Sequence, residues 1–179
     1  LLKDTCKVAS TFGAKGVIVH GGSVGEGGDI GAGYDNWRKA LEHVEDTGMR
    51  VLVENTAGGK NSVARYMDSI ERLWEVIGHL NVGLCLDTCH TWAGGIPTID
   101  AVKGFKKLVK KIDLIHFNDS KDDFESSRDR HENLGKGKIP KEELEYVIKN
   151  AKTDIIVETP NGPDAQKKDI AWIRRRLKK

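Results

Sequence analysis

Five short apolar runs in this sequence are each followed by a histidine or a carboxylate. The runs are residues 16–19, 51–53, 82–86, 114–115 and 155–157, and the residues that follow them are His20, Glu54, Asp87 with His90 three positions further, His116 and Glu158. A short apolar run that ends in a polar residue is typical of a buried strand carrying that residue at its carboxyl end. A polar residue after one buried strand is ordinary. Because the chain holds only 27 acidic residues and 6 histidines among 179, the complete set predicts one polar centre supplied by several strands.

A second group of chemically active residues lies in residues 118–135, after the fourth apolar run. With the next helix predicted near Pro140, this connection of roughly 20 residues exceeds the usual length, which is typical of functional or disordered loops. Asp129 and His131 are two positions apart, so both side chains point the same way in an extended chain. A carboxylate beside an imidazole can bind a metal ion together with it, and the flanking Arg128 and Arg130 can contact phosphates. The alternative interpretation is a solvated, charged loop.

The composition is that of a soluble globular protein, with 38% hydrophobic and 31% charged residues. No apolar run approaches the roughly 20 residues of a membrane span, so we expect no membrane partner. The net charge of +2 is a weak signal for nucleic acid. Three cysteines, two of them (Cys85 and Cys89) on or beside a buried strand, favour a reducing compartment, and we expect a cytoplasmic protein. Cys85 is predicted to be an inert thiol, and Cys89 is a weak zinc candidate because it lacks a spaced partner.

The fold follows from the alternation of strands and helices. Apolar periodicity predicts helices over about residues 34–46, 62–77, 100–111 and 164–177, a first helix closed by Gly13 and another near Pro140. Repeated strand–helix units argue for a parallel sheet with helices outside it. A doubly wound sheet sends only some strand ends to its ligand, whereas every strand of a TIM-type (β/α)8 barrel ends at one mouth. Since a whole barrel takes about 250 residues, we expect residues 1–179 to be a single domain holding the last five β/α units. The absence of an initial Met suggests that the other units precede it.

Five motifs in this chain resemble, in order and approximate spacing, those of the endonuclease IV family of zinc-dependent apurinic/apyrimidinic endonucleases. The matching segments are Glu54-Asn-Thr-Ala-Gly58, Cys85-Leu-Asp-Thr-Cys-His90, His116-Phe-Asn-Asp119, Asp129-Arg-His131 with Asn133-Leu-Gly135, and Glu158-Thr159. The resemblance covers essentially the whole chain, and it implies an α/β protein of the TIM-type (β/α)8 class whose N-terminal part is missing.

The resemblance also implies three Zn²⁺ ions at the barrel mouth and assigns their ligands. Glu54 would bridge two ions, and Glu54 and Glu158 would act in catalysis through the bound metals. The other ligands would be His20 on the first ion, Asp87, His116 and Glu158 on the second, and His90, Asp129 and His131 on the third. The family uses one more histidine on the first ion, from a strand that would lie before Leu1.

By the same resemblance the protein is a DNA-repair hydrolase acting on duplex DNA with abasic sites. It would cut the phosphodiester 5′ to the site and leave a 3′-hydroxyl and a 5′-deoxyribose phosphate. A zinc-activated hydroxide supplies the nucleophile, because zinc lowers the pKa of bound water to about 7. Swinging the abasic nucleotide out of the duplex costs least where no base is stacked, which gives selectivity. Arg128, Arg130 and Lys136 are candidates for DNA phosphate contacts, and no obligate protein partner is expected.

Two other classes of protein remain open at this stage. A metal-dependent sugar isomerase or epimerase of TIM-barrel type would carry similar ligands, but it would give no role to Asp129 and His131. An inactive, incomplete barrel is the other alternative, because an open barrel exposes two sheet edges.

Overall fold

The computed structural model describes residues 1–178, and its centre is a parallel sheet. The strands are β1 (Val17–His20), β2 (Val51–Glu54), β3 (Val82–Asp87), β4 (Leu114–His116), β5 (Asp119–Ser120), β6 (His131–Glu132) and β7 (Asp154–Ile156). Five of them form one sheet in the order β1-β2-β3-β4-β7, with every neighbouring pair parallel. Spatial order follows chain order without a reversal, so this sheet has no switch point of the doubly wound kind. It is the consecutive ladder of a barrel wall, as the sequence predicted.

Helices fill the connections between the strands. They are α1 (Leu2–Thr11), α2 (Ile30–Val44), α3 (Met67–Ile77), α4 (Thr88–Gly94), α5 (Thr98–Val109), α6 (Lys141–Ala151) and α7 (Gly162–Leu177). Over residues 1–178, no helix is both long enough and apolar enough to cross a membrane.

Two predicted helix starts are wrong, and local capping explains both. The helix predicted from residue 34 begins at Ile30, because the Asp29 carboxylate caps it and accepts a hydrogen bond from Gly31 N at 2.9 Å. The helix predicted from residue 62 begins only at Met67. There the Ser69 hydroxyl accepts from the backbone N of Tyr66 at 3.2 Å and so fixes the first turn.

Helix α4 was not predicted at all. Its residues, Thr-Cys-His-Thr-Trp-Ala-Gly, include several weak helix formers, so the sequence carries little helical signal there. The helix starts because Asp87, at the end of β3, accepts a hydrogen bond from His90 N at 2.8 Å. His90 therefore lies on the first turn of a buried helix rather than on a loop.

The two faces of the sheet have different chemistry. Apolar residues on one face, among them Val53, Leu86 and Ile115, are buried under the helices in the main hydrophobic core. Successive residues of a strand alternate between faces, so the residues that follow Val53 and Leu86, namely Glu54 and Asp87, lie on the opposite face. The apolar core thus holds one side of the wall rigidly while the other side carries the polar groups.

The segment between β4 and α6 is an ordered loop closed by one buried carboxylate. Strands β5 and β6 pair antiparallel across it, with Ser120 opposite His131. The Asp119 carboxylate is completely buried and accepts four backbone hydrogen bonds, from Ser120 N, Gly135 N, Gly137 N and Ile139 N at 2.8–3.1 Å. A single side chain therefore fixes both ends of the loop that contains Asp129 and His131.

We predict that Asp119→Asn lowers the free energy of unfolding by about 2–4 kcal/mol, because the new amide NH₂ faces buried N–H donors. Urea denaturation measures this loss. The matched control is Asp123→Asn, whose carboxylate is exposed and lies 3.8 Å from Lys138. That change should stay within about 0.5 kcal/mol. Equal losses in the two variants would contradict the role given to Asp119.

Candidate metal centre

Glu54 lies at the centre of the polar face and contacts two histidines, one at the end of β1 and one at the end of β4. The register of β1 on β2 places His20 beside Glu54, and that of β3 on β4 places Asp87 beside His116. Glu54 Oε2 lies 3.2 Å from His20 Nε2, while Oε1 lies 2.9 Å from His116 Nδ1. The Glu54 side chain is only 4% exposed. A carboxylate whose two oxygens face two different histidines has the geometry needed to bridge two cations.

The group on the His116 side contains four possible ligands. Glu54, Asp87, His116 and Glu158 offer ligand atoms that all lie within 4.8 Å of one another. His116 Nδ1 also lies 3.0 Å from Glu158 Oε2. These residues are the set that the sequence predicted for one ion.

The structure brings three further candidate ligands together around Asp129, as a third group. Asp129 Oδ1 lies 3.1 Å from His90 Nε2 and 3.2 Å from His131 Nε2. Zinc bonds of about 2.0–2.1 Å in a tetrahedron require ligand atoms about 3.3 Å apart. These two separations fit that requirement.

Backbone contacts fix the tautomers of two histidines in this group. His90 Nδ1 lies 2.8 Å from Asn55 O, and His131 Nδ1 lies 3.2 Å from Glu158 O. A carbonyl can only accept, so each Nδ1 donates and each Nε2 is left to bind a cation. Both Nε2 atoms are buried and face Asp129 Oδ1, but within residues 1–178 neither forms a hydrogen bond of acceptable geometry. A buried polar atom without a partner is costly, and a metal ion on Nε2 would remove that cost.

The histidines show that the centre attracts positive charge. Burial lowers the pKa of His116, but contacts with Cys85, Glu158 and Glu54 outweigh burial and raise it to about 12. Burial also opposes the protonation of His90, yet the carboxylates around it raise its pKa to about 9. Protons on these imidazoles balance the carboxylates, and a divalent cation can replace those protons.

The histidines and burial in turn shift the pKa values of the carboxylates. The imidazoles of His131 and His90 hold the pKa of Asp129 well below its usual range, so this group is ionised. Complete burial raises the pKa of Asp87, against the opposing effect of the same two imidazoles. A buried carboxylate such as Asp87 is stable as an anion only beside positive charge.

Two thiols adjoin the centre without being strong ligands. Cys85 is buried beside Glu54 and His116, and Cys89 is buried beside Asp129 and His131. Burial raises the pKa of both thiols, that of Cys89 to about 12. Zinc binds the thiolate form, so these neutral thiols are poor ligands, in line with the expectation from the sequence.

The three residues predicted to contact DNA lie on the exposed surface of the loop. Arg130 forms a bidentate ion pair with Asp122, in which Arg130 Nε lies 2.7 Å from Asp122 Oδ2. Arg128 Nη1 lies 3.7 Å from the same carboxylate, and Lys136 is exposed. All three cations are open to solvent, and two of them are neutralised in part by Asp122.

The sequence did not reveal the residues that hold the ligands in place. Asn55 and Asn118 occurred within the motifs but carried no predicted role. Asp169 in α7 is buried and accepts hydrogen bonds from Asn133 Nδ2, Leu134 N and Thr159 Oγ1 at 2.6–3.0 Å. It joins the segment after His131 to the segment after Glu158. The sequence did hold one sign that Asp169 is buried, because it lies one helical turn before the apolar Ile173 and so shares its face of α7.

The fold and this centre define a class of protein. The family model described as "Xylose isomerase-like TIM barrel" matches residues 1–176. A D-tagatose 3-epimerase-like protein of known structure shares the fold, with 21% identity, a TM-score of 0.75 and coverage of 98% of this chain and 67% of that one.

Closer relatives identify the particular family. The chain is 48% identical over 176 residues to "Probable endonuclease 4" of Mycobacterium tuberculosis (strain ATCC 25177 / H37Ra), which covers 98% of this chain and 69% of that protein. The crystal structure of endonuclease IV from Thermus thermophilus matches with a TM-score of 0.79 and 29% identity over 99% of this chain and 66% of that one. This chain belongs to the endonuclease IV family and spans about two thirds of the length of these relatives. The family and the barrel fold predicted from the sequence are therefore confirmed.

We predict that His131→Ala weakens zinc binding to the third group by more than about 100-fold, because loss of a ligand should exceed the effect of an outer partner. Bound zinc per chain after dialysis, together with competition against a chromophoric chelator, measures it. The matched control is His43→Ala, since His43 is exposed on α2. A zinc content unchanged by His131→Ala would contradict the assignment.

Proposed function

We propose that this chain is the metal-binding part of a DNA-repair endonuclease that cuts duplex DNA 5′ to abasic sites with three Zn²⁺ ions. The observation that carries the proposal is that Asp129 faces His90 and His131, next to the group formed by Glu54, Asp87, His116 and Glu158. A two-metal sugar enzyme would have no use for the third group. The 48% identity to a protein named probable endonuclease 4 supports the same conclusion.

The ligand set suits hydrolysis of a phosphodiester. His20 would hold one ion, Asp87, His116 and Glu158 a second, and His90, Asp129 and His131 a third, with Glu54 bridging the first two. Zinc bound there supplies Lewis acidity, which lowers the pKa of coordinated water to about 7 and offsets phosphate charge. Imidazole and carboxylate ligands, rather than thiolates, are typical of hydrolytic zinc.

The chain's own residues would orient the substrate and the ions. The Glu54 carboxylate would lie between the first two ions and set their spacing. Its contacts with His20 at 3.2 Å and with His116 at 2.9 Å support this role. Buried Asp87 would contribute a carboxylate ligand from within the centre. The exposed cations Arg128, Arg130 and Lys136 would contact DNA phosphates at the mouth, with Arg130 exchanging its pairing with Asp122 for a phosphate.

A sugar isomerase or epimerase is the second candidate function, favoured by the shared fold of the epimerase-like protein. That likeness, at 21% identity, concerns the fold alone. Zinc stoichiometry separates the two functions, because a sugar enzyme of this kind would need no ion on His90, Asp129 and His131.

We predict that the zinc-loaded chain cleaves a duplex with one abasic-site analogue on the 5′ side, and that a chelator abolishes cleavage. Glu54→Gln should reduce the rate at least about 100-fold, because it removes a bridging charge from the site. Glu75→Gln, on the exposed side of α3, is the matched control and should cleave like the wild type. Denaturing gels of end-labelled DNA measure the product.

The cleavage assay can also fail in informative ways. A folded, zinc-loaded chain that leaves the abasic duplex intact would contradict the activity proposed for this chain. Cleavage that continues at full rate in Glu54→Gln would contradict the proposed centre.

We predict that Arg128→Ala weakens DNA binding similarly for all sequences and reduces the salt slope of log K by about one. The side chain of Arg128 is 67% exposed, so its loss should not perturb packing. Fluorescence anisotropy of labelled duplex from low to moderate salt measures the slope. Arg174→Ala, exposed on α7, is the control. An equal slope in Arg128→Ala and the wild type would remove Arg128 from the interface.

A further inference from the structure

Asn118 lies two residues after His116, in a motif to which the proposed function gives no role beyond that histidine. We propose that Asn118 is a positioning residue whose side-chain amide holds two candidate ligands of one metal group, Asp87 and Glu158. This inference rests on the proposed function, because it concerns the same centre.

The amide of Asn118 contacts both ligand segments directly. Asn118 Nδ2 donates to Asp87 Oδ2 at 2.7 Å, and Asn118 Oδ1 accepts from the backbone N of Glu158 at 2.9 Å. A carboxylate can only accept here and a backbone N–H can only donate, so one orientation of the amide satisfies both contacts. Asp87 ends β3 and Glu158 follows β7, and β4 lies between these strands. The amide therefore links two ligands that the sheet itself does not pair.

Asn118 is itself held in place. Its side chain is completely buried, and the Thr88 hydroxyl donates to Asn118 O at 2.6 Å and accepts from Asn118 N at 2.8 Å. Thr88 is equally buried at the start of α4. A completely buried side chain on a backbone held in this way can fix the geometry of the ligands that it contacts.

The contact determines how Asp87 presents its oxygens. Asp87 Oδ1 accepts from His90 N at 2.8 Å, and Oδ2 accepts from Asn118. Each carboxylate oxygen has a second lone pair, so both remain able to bind a cation. Asn55 clamps the Asp87 backbone, accepting from its N at 2.8 Å and donating to its O at 3.2 Å. The backbone and the side chain of Asp87 are thus fixed separately, and the side-chain partner Asn118 comes from the segment between β4 and β5.

Asn118→Asp tests the proposal most sharply. The new side chain has nearly the same size and keeps the acceptor for Glu158 N, but it places an oxygen against Asp87 Oδ2. We expect zinc affinity to fall about 10–100-fold. The visible absorption bands of the Co²⁺-substituted protein should also change, because the ligand geometry changes. Asn118→Ala removes the amide without adding charge, and the same fall in affinity is expected.

Substitution of a residue that only stabilises the fold would lower the free energy of unfolding and leave the metal affinity and the Co²⁺ spectrum unchanged. Ser69→Ala supplies that reference, because it removes a buried hydroxyl from the capping box of α3, away from the metal groups. Each affinity is measured on protein shown to be folded by circular dichroism.

The outcomes separate this inference from the proposed function. A wild-type chain that binds no zinc overturns the proposed function and this inference with it. Tight binding by the wild type together with unchanged affinity and Co²⁺ spectrum in either folded Asn118 variant overturns the inference alone. Should both Asn118 variants fail to fold, Thr88→Val, which frees the Asn118 backbone, provides the comparison. Wild-type zinc affinity in that folded variant also overturns it.

Discussion

The centre depends on one buried carboxylate, Glu54. Its two oxygens meet His20 on one side and His116 on the other, within 3.2 Å, at a position almost closed to solvent. Burial of a charge is costly unless it is paired, and here further carboxylates, Asp87 among them, lie close by. The neighbouring carboxylates raise the pKa values of His90 and His116, so protons on these imidazoles can balance the charge. Divalent cations would balance this negative charge better than protons do. The same cluster of carboxylates therefore accounts for the raised histidine pKa values and for the proposed metal chemistry.

The groups around the centre have structural and functional tasks at once. The Asp87 carboxylate caps α4 by accepting a hydrogen bond from His90 N. The same bond positions His90, whose imidazole is a candidate ligand. Asn55 holds Asp87 through its amide and fixes the His90 tautomer through its carbonyl. Asn118 adds the link to the segment of Glu158. A change in any of these partners would alter ligand geometry before it unfolded the barrel wall, because the apolar core lies on the other face of the sheet.

The third ligand group separates the proposed nuclease from sugar enzymes of similar fold. It is built from α4 and from the loop between β4 and α6, which the Asp119 carboxylate closes through four backbone bonds. In the barrel class, strands supply a common mouth and loops supply the individual chemistry. Under the proposed function, the loop that holds Asp129 and His131 would supply the specificity of this chain, and the exposed Arg128 and Arg130 beside them would contact the DNA backbone.

The five strands of the main sheet, the alternation that implies a barrel and the polar residue that follows each of these strands could be predicted from the sequence, because apolar periodicity and the polar residues that interrupt it are local properties of the chain. The short strands β5 and β6 could not. The ordered motifs of the sequence also determined the family. Helix α4 and the starts of α2 and α3 were not predicted because their caps are local polar contacts, which apolar periodicity does not report. The roles of Asn118, Asp119 and Asp169, in contrast, follow only from the folded chain. Each depends on hydrogen bonds between residues brought together by folding, such as Asn118 with Asp87 across 31 positions. Sequence patterns report which face of an element is apolar, whereas the partner of a buried polar group is fixed only when the strands adopt their register.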